Sequence, residues 1–283
     1  MQTILRGKSK EVVIDTGGPV VIIGESINPT RRKKLVESLS GGDFEYVLQL
    51  ANSQLNAGAD LLDVNVGYPG VDDVTLLPET VRAIQASVDV PLCLDSPNPK
   101  AIEAALKVVE GKALINSVNG EEKSLQAILP LAKEYGAALI GLVMDDEGIT
   151  HDPGKRLQIA EKILNRAIQA GIPKEDVIID PLAMAVSAEP NACLVTLETI
   201  RLVHDNLGLN ITQGASNISF GLPNRDALNS AHMAISILYG LTCPIANPVK
   251  ITTLVRATDL VLGRDEFAMR FTDHYQRSLI NDQ

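Results

Sequence analysis

Short, continuously apolar runs alternate along the chain with segments of helical periodicity. Eight runs are rich in valine, isoleucine and leucine, and they span residues 20–24, 61–66, 91–94, 113–115, 137–144, 177–179, 210–213 and 244–246. Because their apolar residues do not alternate with polar ones, the runs are typical of parallel strands buried on both faces of a sheet. The pattern therefore predicts about eight parallel strands with helices between them.

The intervening segments carry helix start and stop signals. Asn98 is a candidate N-cap followed by Pro99, a residue favoured at the first helical position, and apolar residues then recur at helical intervals. Asp43 is a candidate start for an earlier helix, with Gly58 just past its end. These signals predict helices that connect successive parallel strands.

About eight strand–helix units predict an α/β fold of the (β/α)8 TIM-barrel class, which typically needs about 250 residues. The chain has 283 residues, with no linker or low-complexity segment, so we expect a single domain over residues 1–283. A doubly wound sheet is the alternative. It would carry a GxGxxG or GxxxxGK[ST] loop, and neither motif occurs. The residues up to Gly18 are expected to be a lead-in or a cover for the bottom of the barrel.

Composition narrows the function classes. The content of 45% hydrophobic and 21% charged residues is typical of a globular protein with an ample core. The net charge of −10 argues against nucleic-acid binding. The three cysteines form no paired framework, and neither a leader nor a membrane-length apolar run is recognisable, so a cytoplasmic location is expected.

Polar residues follow nearly every predicted strand, at the end where a barrel of this class carries its active site. Most are carboxylates and amides; in chain order they are Glu25, Asn28, Asp63, Asn65, Asp95, Asn116, Asn119, Asp145, Asp146, Asp180, Asn217 and Asn247. Such a set suits a neutral or cationic heterocycle rich in hydrogen-bonding groups. No glycine-rich phosphate loop follows the seventh or eighth strand, and no lysine lies within a strand as a Schiff-base candidate.

Each of these residues has an alternative structural role, because Asp or Asn after a strand often caps the next helix. Asp95 and Asp180 directly follow buried apolar runs and are therefore favoured as ligand contacts. Asp63 lies inside its run, where a buried hydrogen-bond acceptor and a ligand contact are equally compatible. Arg225 could pair with a substrate carboxylate or could hold its own loop together.

The run Arg31-Arg32-Lys33-Lys34 is the one basic cluster of the sequence. A solvent-exposed helix face is its expected role. The functional alternative is contact with an anionic ligand tail or with an acidic partner protein. The four histidines form no HxH or HxxxH pair, so no catalytic metal is expected.

The strand ends also form an ordered series of short motifs, at residues 23–28, 63–67, 92–96, 115–117, 137–142, 179–182 and 216–219. In this order the chain resembles the pterin-binding barrel family, and within it the methyltetrahydrofolate:corrinoid-protein methyltransferases. The resemblance covers about residues 20–260. It implies a TIM barrel of the pterin-binding type.

Dihydropteroate synthase is the nearest alternative family, since it shares the barrel and resembles this chain at Asp95, Asn116 and Asp180. However, that family ends its seventh strand with a Ser-Arg-Lys-type motif and carries a pyrophosphate loop after the first strand. Here the seventh strand leads to Ser-Asn-Ile-Ser at residues 216–219, without lysine. The resemblance therefore favours methyl transfer.

The resemblance implies that Asp95, Asn116 and Asp180 hydrogen-bond the pyrimidine edge of the pterin ring of tetrahydrofolate. It places Asn217 beside N5 as the catalytic residue, where a neutral amide suits methyl transfer in either direction. The remaining members of the expected folate-binding set are Ser219, Arg225 and Asp63.

The substrates implied are tetrahydrofolate or 5-methyltetrahydrofolate and a corrinoid supplied by a partner protein, because the chain lacks the DxHxxG pattern of corrinoid-binding domains. A homodimer is also implied. Residues 220–225 and the loop from Asp145 favour formation of 5-methyltetrahydrofolate during demethylation of glycine betaine, a methylamine or an aryl ether. The alternatives are a methyltetrahydrofolate-consuming enzyme of the acetyl-CoA pathway, a dihydropteroate-synthase-like enzyme and a folate-binding subunit without turnover.

Overall fold

Eight parallel strands form the centre of the molecule in a computed structural model that describes residues 1–281. They are β3 (Ile23–Ile27), β4 (Leu61–Asn65), β5 (Leu92–Asp95), β6 (Leu114–Asn119), β7 (Ala138–Leu142), β8 (Val177–Asp180), β9 (Asn210–Ile211) and β10 (Ile245–Ala246). Two earlier strands, β1 (Gln2–Arg6) and β2 (Glu11–Asp15), form an antiparallel hairpin.

The strands of the central sheet lie side by side in the order β10-β3-β4-β5-β6-β7-β8-β9. A parallel bridge between Gly214 and Ile245 joins the two ends of the sheet, and the amide of Ile245 donates to the carbonyl of Gln213 at 2.9 Å. These contacts make the sheet a barrel. The predicted (β/α)8 fold is confirmed.

Helices connect the successive strands and cover the outside of the barrel. They are α1 (Lys33–Ser40), α2 (Glu45–Asn56), α3 (Asp73–Ser87), α4 (Pro99–Leu106), α5 (Glu122–Tyr135), α6 (Pro153–Gln169), α7 (Ala192–Leu207), α8 (Arg225–Tyr239), α9 (Pro248–Val261) and α10 (Met269–Asn281). The side chain of Asn98 accepts from the amide of Lys100, and that of Asp43 accepts from the amide of Glu45. The N-cap predicted at Asn98 is therefore confirmed, whereas α2 begins at Glu45, two residues after Asp43, with Phe44 at the N-cap position.

Some strand limits differ from the prediction. The first barrel strand, predicted at 20–24, lies later at Ile23–Ile27, so that Glu25 belongs to the strand itself. The register of β3 shifts between Gly24 and Ile27, so the strand includes polar residues and lacks a regular apolar pattern. Its true limits could therefore not be read from hydrophobicity. In β6 the register to β7 likewise shifts after Asn116, where the peptide to Ser117 is cis.

The core has two parts. The larger part lies between the sheet and the surrounding helices, and the smaller part fills the inside of the barrel near its lower end. The smaller part includes Leu5 and Ile14 of the hairpin, both fully buried against strand residues such as Leu114. The side chain of Asn210 donates to the hydroxyl of Thr3 at 3.0 Å. The hairpin therefore closes the bottom of the barrel, as predicted.

The helices of residues 1–281 include none with the length and apolar character that crossing a bilayer requires.

Candidate active site

Three of the predicted site residues, Asp63, Asp95 and Asn116, lie with Asn65 on neighbouring strands at the carboxyl-terminal mouth of the barrel. The strand register pairs Asn65 with Asp95 and Asp95 with Asn116. The side chain of Asn116 donates to Asp63 at 3.1 Å, and that of Asn65 donates to Asp95 at 2.8 Å. The sequence therefore brings two amide–carboxylate hydrogen-bonded pairs side by side across β4, β5 and β6.

Burial controls the protonation of the two carboxyl groups in these pairs. Asp63 is 2% exposed, and burial followed by the nearby charge of Asp95 raises its pKa well above the usual range. Burial also raises the pKa of Asp95, with the hydrogen bond from Asn65 acting in the opposite direction. Because Asp63 is enclosed while Asp95 is partly accessible, Asp95 is the better placed of the two to meet a ligand.

Asp180 ends β8 on the other side of the mouth. Its carboxylate accepts from the amide of Leu182 at 2.8 Å. Burial raises the pKa of Asp180 to about 6, and the amide hydrogen bonds and the positive charge of Arg156 limit that rise. The group can therefore change its charge near neutral pH, and a ligand that donates hydrogen bonds would favour its ionised form.

Arg156 supports the loop that carries Asp180, a role that the sequence analysis missed. Its fully buried guanidinium donates to the carbonyls of Pro181 at 2.7 Å and Leu182 at 3.0 Å. The available signal was a charged residue on the apolar face of α6, in line with Ile159. An arginine on such a face needs buried acceptors, and here they are loop carbonyls at the mouth.

Glu25 is a further residue at the mouth. It follows the first predicted strand but is not a member of the folate-binding set expected from the sequence. The register of β3 shifts between Gly24 and Ile27. There the amide of Ser26 donates to the buried side chain of Gln54 at 2.7 Å instead of to a neighbouring strand. A Cβ atom on Gly24 would lie 2.5 Å from the same Gln54 oxygen. Gln54 and Gly24 thus shape the bulge from which Glu25 reaches the mouth.

The carboxyl group of Glu25 lies close to the loop after β9. The hydroxyl of Ser216 donates to it at 3.4 Å, and burial raises its pKa. Gln54, like Arg156, is a polar residue on the buried face of its helix, since it follows the buried Val47 and Ala51 at helical spacing on α2. Such a residue indicates a buried hydrogen-bonding partner. Glu25 therefore adds a fourth acid to the mouth, in contact with Ser216, the residue before Asn217.

Asn217 lies in a short 3-10 helix, Ala215–Ser219, that follows β9. Its side chain is exposed and forms no hydrogen bond with any of the residues that the structure describes. Gly214 approaches it closely, since a Cβ there would lie 3.0 Å from the amide nitrogen. The amide is therefore free to bond a ligand, whereas most polar groups around it are already paired.

Arg225 and Ser219 organise the same loop. The guanidinium of Arg225 donates to the hydroxyl of Ser219 at 2.9 Å and to the carbonyl of Ser216 at 2.7 Å. Ser219 is fully buried. Arg225 therefore holds its own loop together in this structure. The folate contacts of Arg225 and Ser219 stay predictions.

Two clefts open at the mouth. One, of about 430 Å³, is lined by Asp95, Asn116 and Asn119 among others. The second, of about 180 Å³, is lined by Glu25 and Arg225 among others. Of the predicted folate-binding residues, Asp95 and Asn116 line the first cleft and Arg225 lines the second, while the other members of the set line neither.

The arrangement can bind a flat heterocycle by its polar edge, since ionised Asp180 accepts from N–H groups and the amides of Asn116 and Asn217 both donate and accept. Within residues 1–281, His, Cys, Asp and Glu side chains form no group of three that could hold a metal ion. The acids and amides at the mouth can form hydrogen bonds and exchange protons with a ligand.

Comparison with protein families and known proteins gives consistent matches. The family model described as "Pterin binding enzyme" matches residues 24–247. The methylcorrinoid:tetrahydrofolate methyltransferase of Eubacterium limosum is 29% identical over 271 residues, which cover 92% of this chain and 98% of that protein. The methionine synthase of Mycobacterium tuberculosis is 31% identical over 266 residues, which cover 87% of this chain but 22% of that longer protein.

Solved structures share the architecture at lower identity. A Yersinia pestis dihydropteroate synthase with a pterine-sulfa conjugate has a TM-score of 0.72 at 19% identity, covering 92% of this chain and 99% of that one. A dihydropteroate synthase from Coxiella burnetii in complex with pteroic acid has a TM-score of 0.66 at 17% identity, covering 92% and 98%. At this level of identity the likeness concerns the fold.

Proposed function

The chain belongs to the pterin-binding enzyme family, and from this premise we propose that it transfers a methyl group between a corrinoid protein and N5 of tetrahydrofolate. The observation that carries the proposal is the set of paired acids and amides at the mouth, from Asp63 through Asn116, facing Asp180 and the unpaired amide of Asn217. The full-length similarity to a methylcorrinoid:tetrahydrofolate methyltransferase supports it.

The pyrimidine edge of the pterin is bound by Asp95, Asn116 and Asp180. That edge presents an amino group and ring N–H donors beside acceptors, which carboxylates and an amide complement. Asp63 lies below Asn116 and fixes its amide through the 3.1 Å hydrogen bond. The carboxamide of Asn116 is therefore oriented before the ligand arrives, which lowers the ordering cost of binding.

The methyl group moves by displacement at carbon. The lone pair of N5 attacks the methyl carbon of methyl-Co(III), the Co–C bond breaks, and its electron pair stays on cobalt as Co(I). N5 becomes a methylated ammonium and then loses its proton to water at the open mouth. The carbonyl of Asn217 can accept from this ammonium N–H, and after amide rotation its NH2 can donate to neutral N5, so one residue serves both directions.

The corrinoid comes from a separate protein that docks over the mouth. A homodimer of single-domain chains and a cytoplasmic location complete the proposal. The partly exposed apolar residues Ile235 and Leu238 of α8 support an interface between two copies.

The direction proposed is formation of 5-methyltetrahydrofolate after demethylation of a substrate such as glycine betaine, a methylamine or an aryl ether. Consumption of 5-methyltetrahydrofolate in the acetyl-CoA pathway is the alternative direction. A dihydropteroate-synthase-like reaction has less support, because the loop after β9, the seventh strand of the barrel, has Asn217 and Ser219 in place of a lysine-containing motif.

The test is a methyl-transfer assay with methylcobalamin as a protein-free methyl donor and tetrahydrofolate as acceptor, followed by chromatographic detection of 5-methyltetrahydrofolate. The reverse assay uses cob(I)alamin and 5-methyltetrahydrofolate. Product in either assay supports methyl transfer, and the ratio of the two rates bears on direction. Formation of dihydropteroate from p-aminobenzoate and a pterin pyrophosphate, without methyl transfer, would instead support the synthase alternative.

A further inference from the structure

A cleft of about 660 Å³ lies on the rim of the mouth, beside the site described above. The connection from β3 to α1 forms one wall, and the connection from β4 to α3 forms the other. We call it the rim cleft; its polar and aromatic lining is Arg31, Arg32, Lys33, Glu37 and Tyr68. Its volume is in the range of small-molecule sites.

The rim cleft is positively charged within an acidic protein. It has three cations and one carboxylate, Glu37, while the chain as a whole carries −10. Within residues 1–281, none of the three cations lies within 4.0 Å of a carboxylate oxygen, whereas cations elsewhere, such as Lys112 and Arg166, do form such pairs. The cleft therefore carries a net positive charge that close ion pairs do not neutralise, although the charge of Arg32 also acts on Glu25.

The start of α1 adds hydrogen-bond donors to this charge. The N-cap residue Arg32 supplies no side-chain cap, and the first turn contains no acidic residue. The amides of Lys33 and Lys34 donate to no acceptor among the described residues. Free amides at a helix start, together with the helix dipole, favour a carboxylate or another anion.

The rim cleft adjoins the loop that carries Asn217. The guanidinium of Arg31 lies 4.8 Å from the ring centroid of Phe220, which follows the 3-10 helix of that loop. Arg31 itself adopts a φ of 60°, which only a few per cent of residues other than glycine adopt. Arg32 donates to the carbonyl of Ser26 at 2.8 Å, next to Glu25. A ligand that leaves the mouth past Asn217 therefore meets the rim cleft.

We propose that the rim cleft binds the poly-γ-glutamyl tail of the folate substrate, an inference that rests on the proposed function. The inner mouth contains Asp63, Asp95, Asp180 and Glu25 and would repel carboxylates. The tail is at the opposite end of folate from the pterin, so its carboxylates leave the acidic mouth and are attracted to the cations of the rim cleft. A tail of several glutamates reaches both the side-chain cations and the free amides of α1.

Isothermal titration calorimetry with 5-methyltetrahydrofolate that carries either one or five glutamates tests this. In the wild-type protein the pentaglutamate should bind about tenfold more tightly, as expected for a few partly exposed charge contacts, and the advantage should shrink as salt is raised. In the double variant Arg31→Ala, Lys33→Ala the advantage should fall below about threefold. Lys174→Ala, an exposed lysine at the other end of the barrel, should keep it.

Equal affinity of the two folates for the wild-type protein would overturn the inference and leave the proposed function intact. An unchanged advantage in the double variant would overturn it as well, because the tail would then bind elsewhere. Absence of binding by both folates would overturn the inference together with the proposed function. Thermal melts of the variants, whose altered side chains are exposed, check that folding is retained.

Discussion

At the scale of single residues, burial decides the charge of the acids at the mouth. The pKa values of Asp63, Asp95, Asp180 and Glu25 are all raised, and burial is the largest cause in each case. Several ionised carboxylates in one cleft would repel each other, so partial protonation makes the ligand-free cleft tolerable. A ligand with N–H donors would hydrogen-bond the ionised carboxylates and so favour loss of those protons.

Substitution of Asn217 tests the residue that we propose acts on N5. Asn217→Ala should lower turnover by about 10²–10³, the scale for loss of one transition-state hydrogen bond. Steady-state rates at saturating folate measure this. Asn206→Ala, an exposed asparagine on α7, is the control and should retain full turnover. Near-normal turnover of Asn217→Ala would remove this residue from the mechanism.

Asp180 gives the ligand-free protein a specific pH dependence. Its pKa of about 6 in the folded protein lies above the ordinary value of 3.8, so the unfolded chain loses this proton first as pH rises. The stabilising contribution is present below pH 4 and is lost as pH rises through 6. Asp180→Asn should therefore reduce the fall in Tm between about pH 4 and pH 7 by a few degrees.

The control for this pH series is Asp146→Asn in an exposed loop, whose Tm should follow the wild-type curve. Scanning calorimetry at several pH values gives the comparison. Identical pH slopes for Asp180→Asn and the wild-type protein would contradict the assignment of the titration to Asp180.

Sequence patterns located the residues at the strand ends but not their partners. Asp95, Asn116 and Asp180 could be predicted because each follows a buried apolar run. Arg156 and Gln54 could not be assigned a role, because their acceptors and donors are backbone groups of loops distant in sequence. A polar residue on an apolar helix face indicates a buried hydrogen bond, but the sequence does not show which group is the partner.

At the scale of elements, the bulge in β3 is the feature that aims a side chain into the mouth. The apolar pattern predicted a strand that ended before Glu25, whereas pairing with β4 resumes at Ile27 and carries the strand past the polar residues. Periodicity could not reveal this, since a bulge changes which face each residue occupies. Tertiary contact with Gln54 decides the local geometry.

Gly24→Ala tests the bulge. The added methyl group would meet the Gln54 oxygen at 2.5 Å, and the resulting overpacking should cost about 1–3 kcal/mol of unfolding free energy. Gly17→Ala is the matched control, because the nearest atom would lie at 3.9 Å and little change is expected. Urea denaturation measures both. Equal stability of the two variants would show that Gln54 moves aside without cost.

At the scale of the whole molecule, stability and function lie at opposite ends of the barrel. The hairpin of β1 and β2 closes the bottom with Leu5 and Ile14, while the ligand-binding groups lie at the top. The overall fold could be predicted because eight apolar runs leave few arrangements. The division of the mouth into separate clefts could not, since it depends on loop packing.

Truncation of a hairpin side chain tests this separation. Leu5→Ala should cost about 2–5 kcal/mol of unfolding free energy, because the fully buried side chain would leave a cavity, and folate affinity should stay unchanged. Val13→Ala on the outer face of the same hairpin is the control, with an effect near zero expected from its 39% exposure. A large loss of folate affinity in Leu5→Ala at a temperature where it remains folded would contradict the separation.

Calorimetric titration with tetrahydrofolate and 5-methyltetrahydrofolate tests the central claim most directly, because it needs no partner protein. Micromolar binding of both folates is expected, lost in Asp180→Ala and retained in Asn217→Ala, since we propose that Asp180 binds the pterin and that Asn217 acts on N5. Absence of binding by either folate to the wild-type protein would contradict the account of the mouth as a folate site.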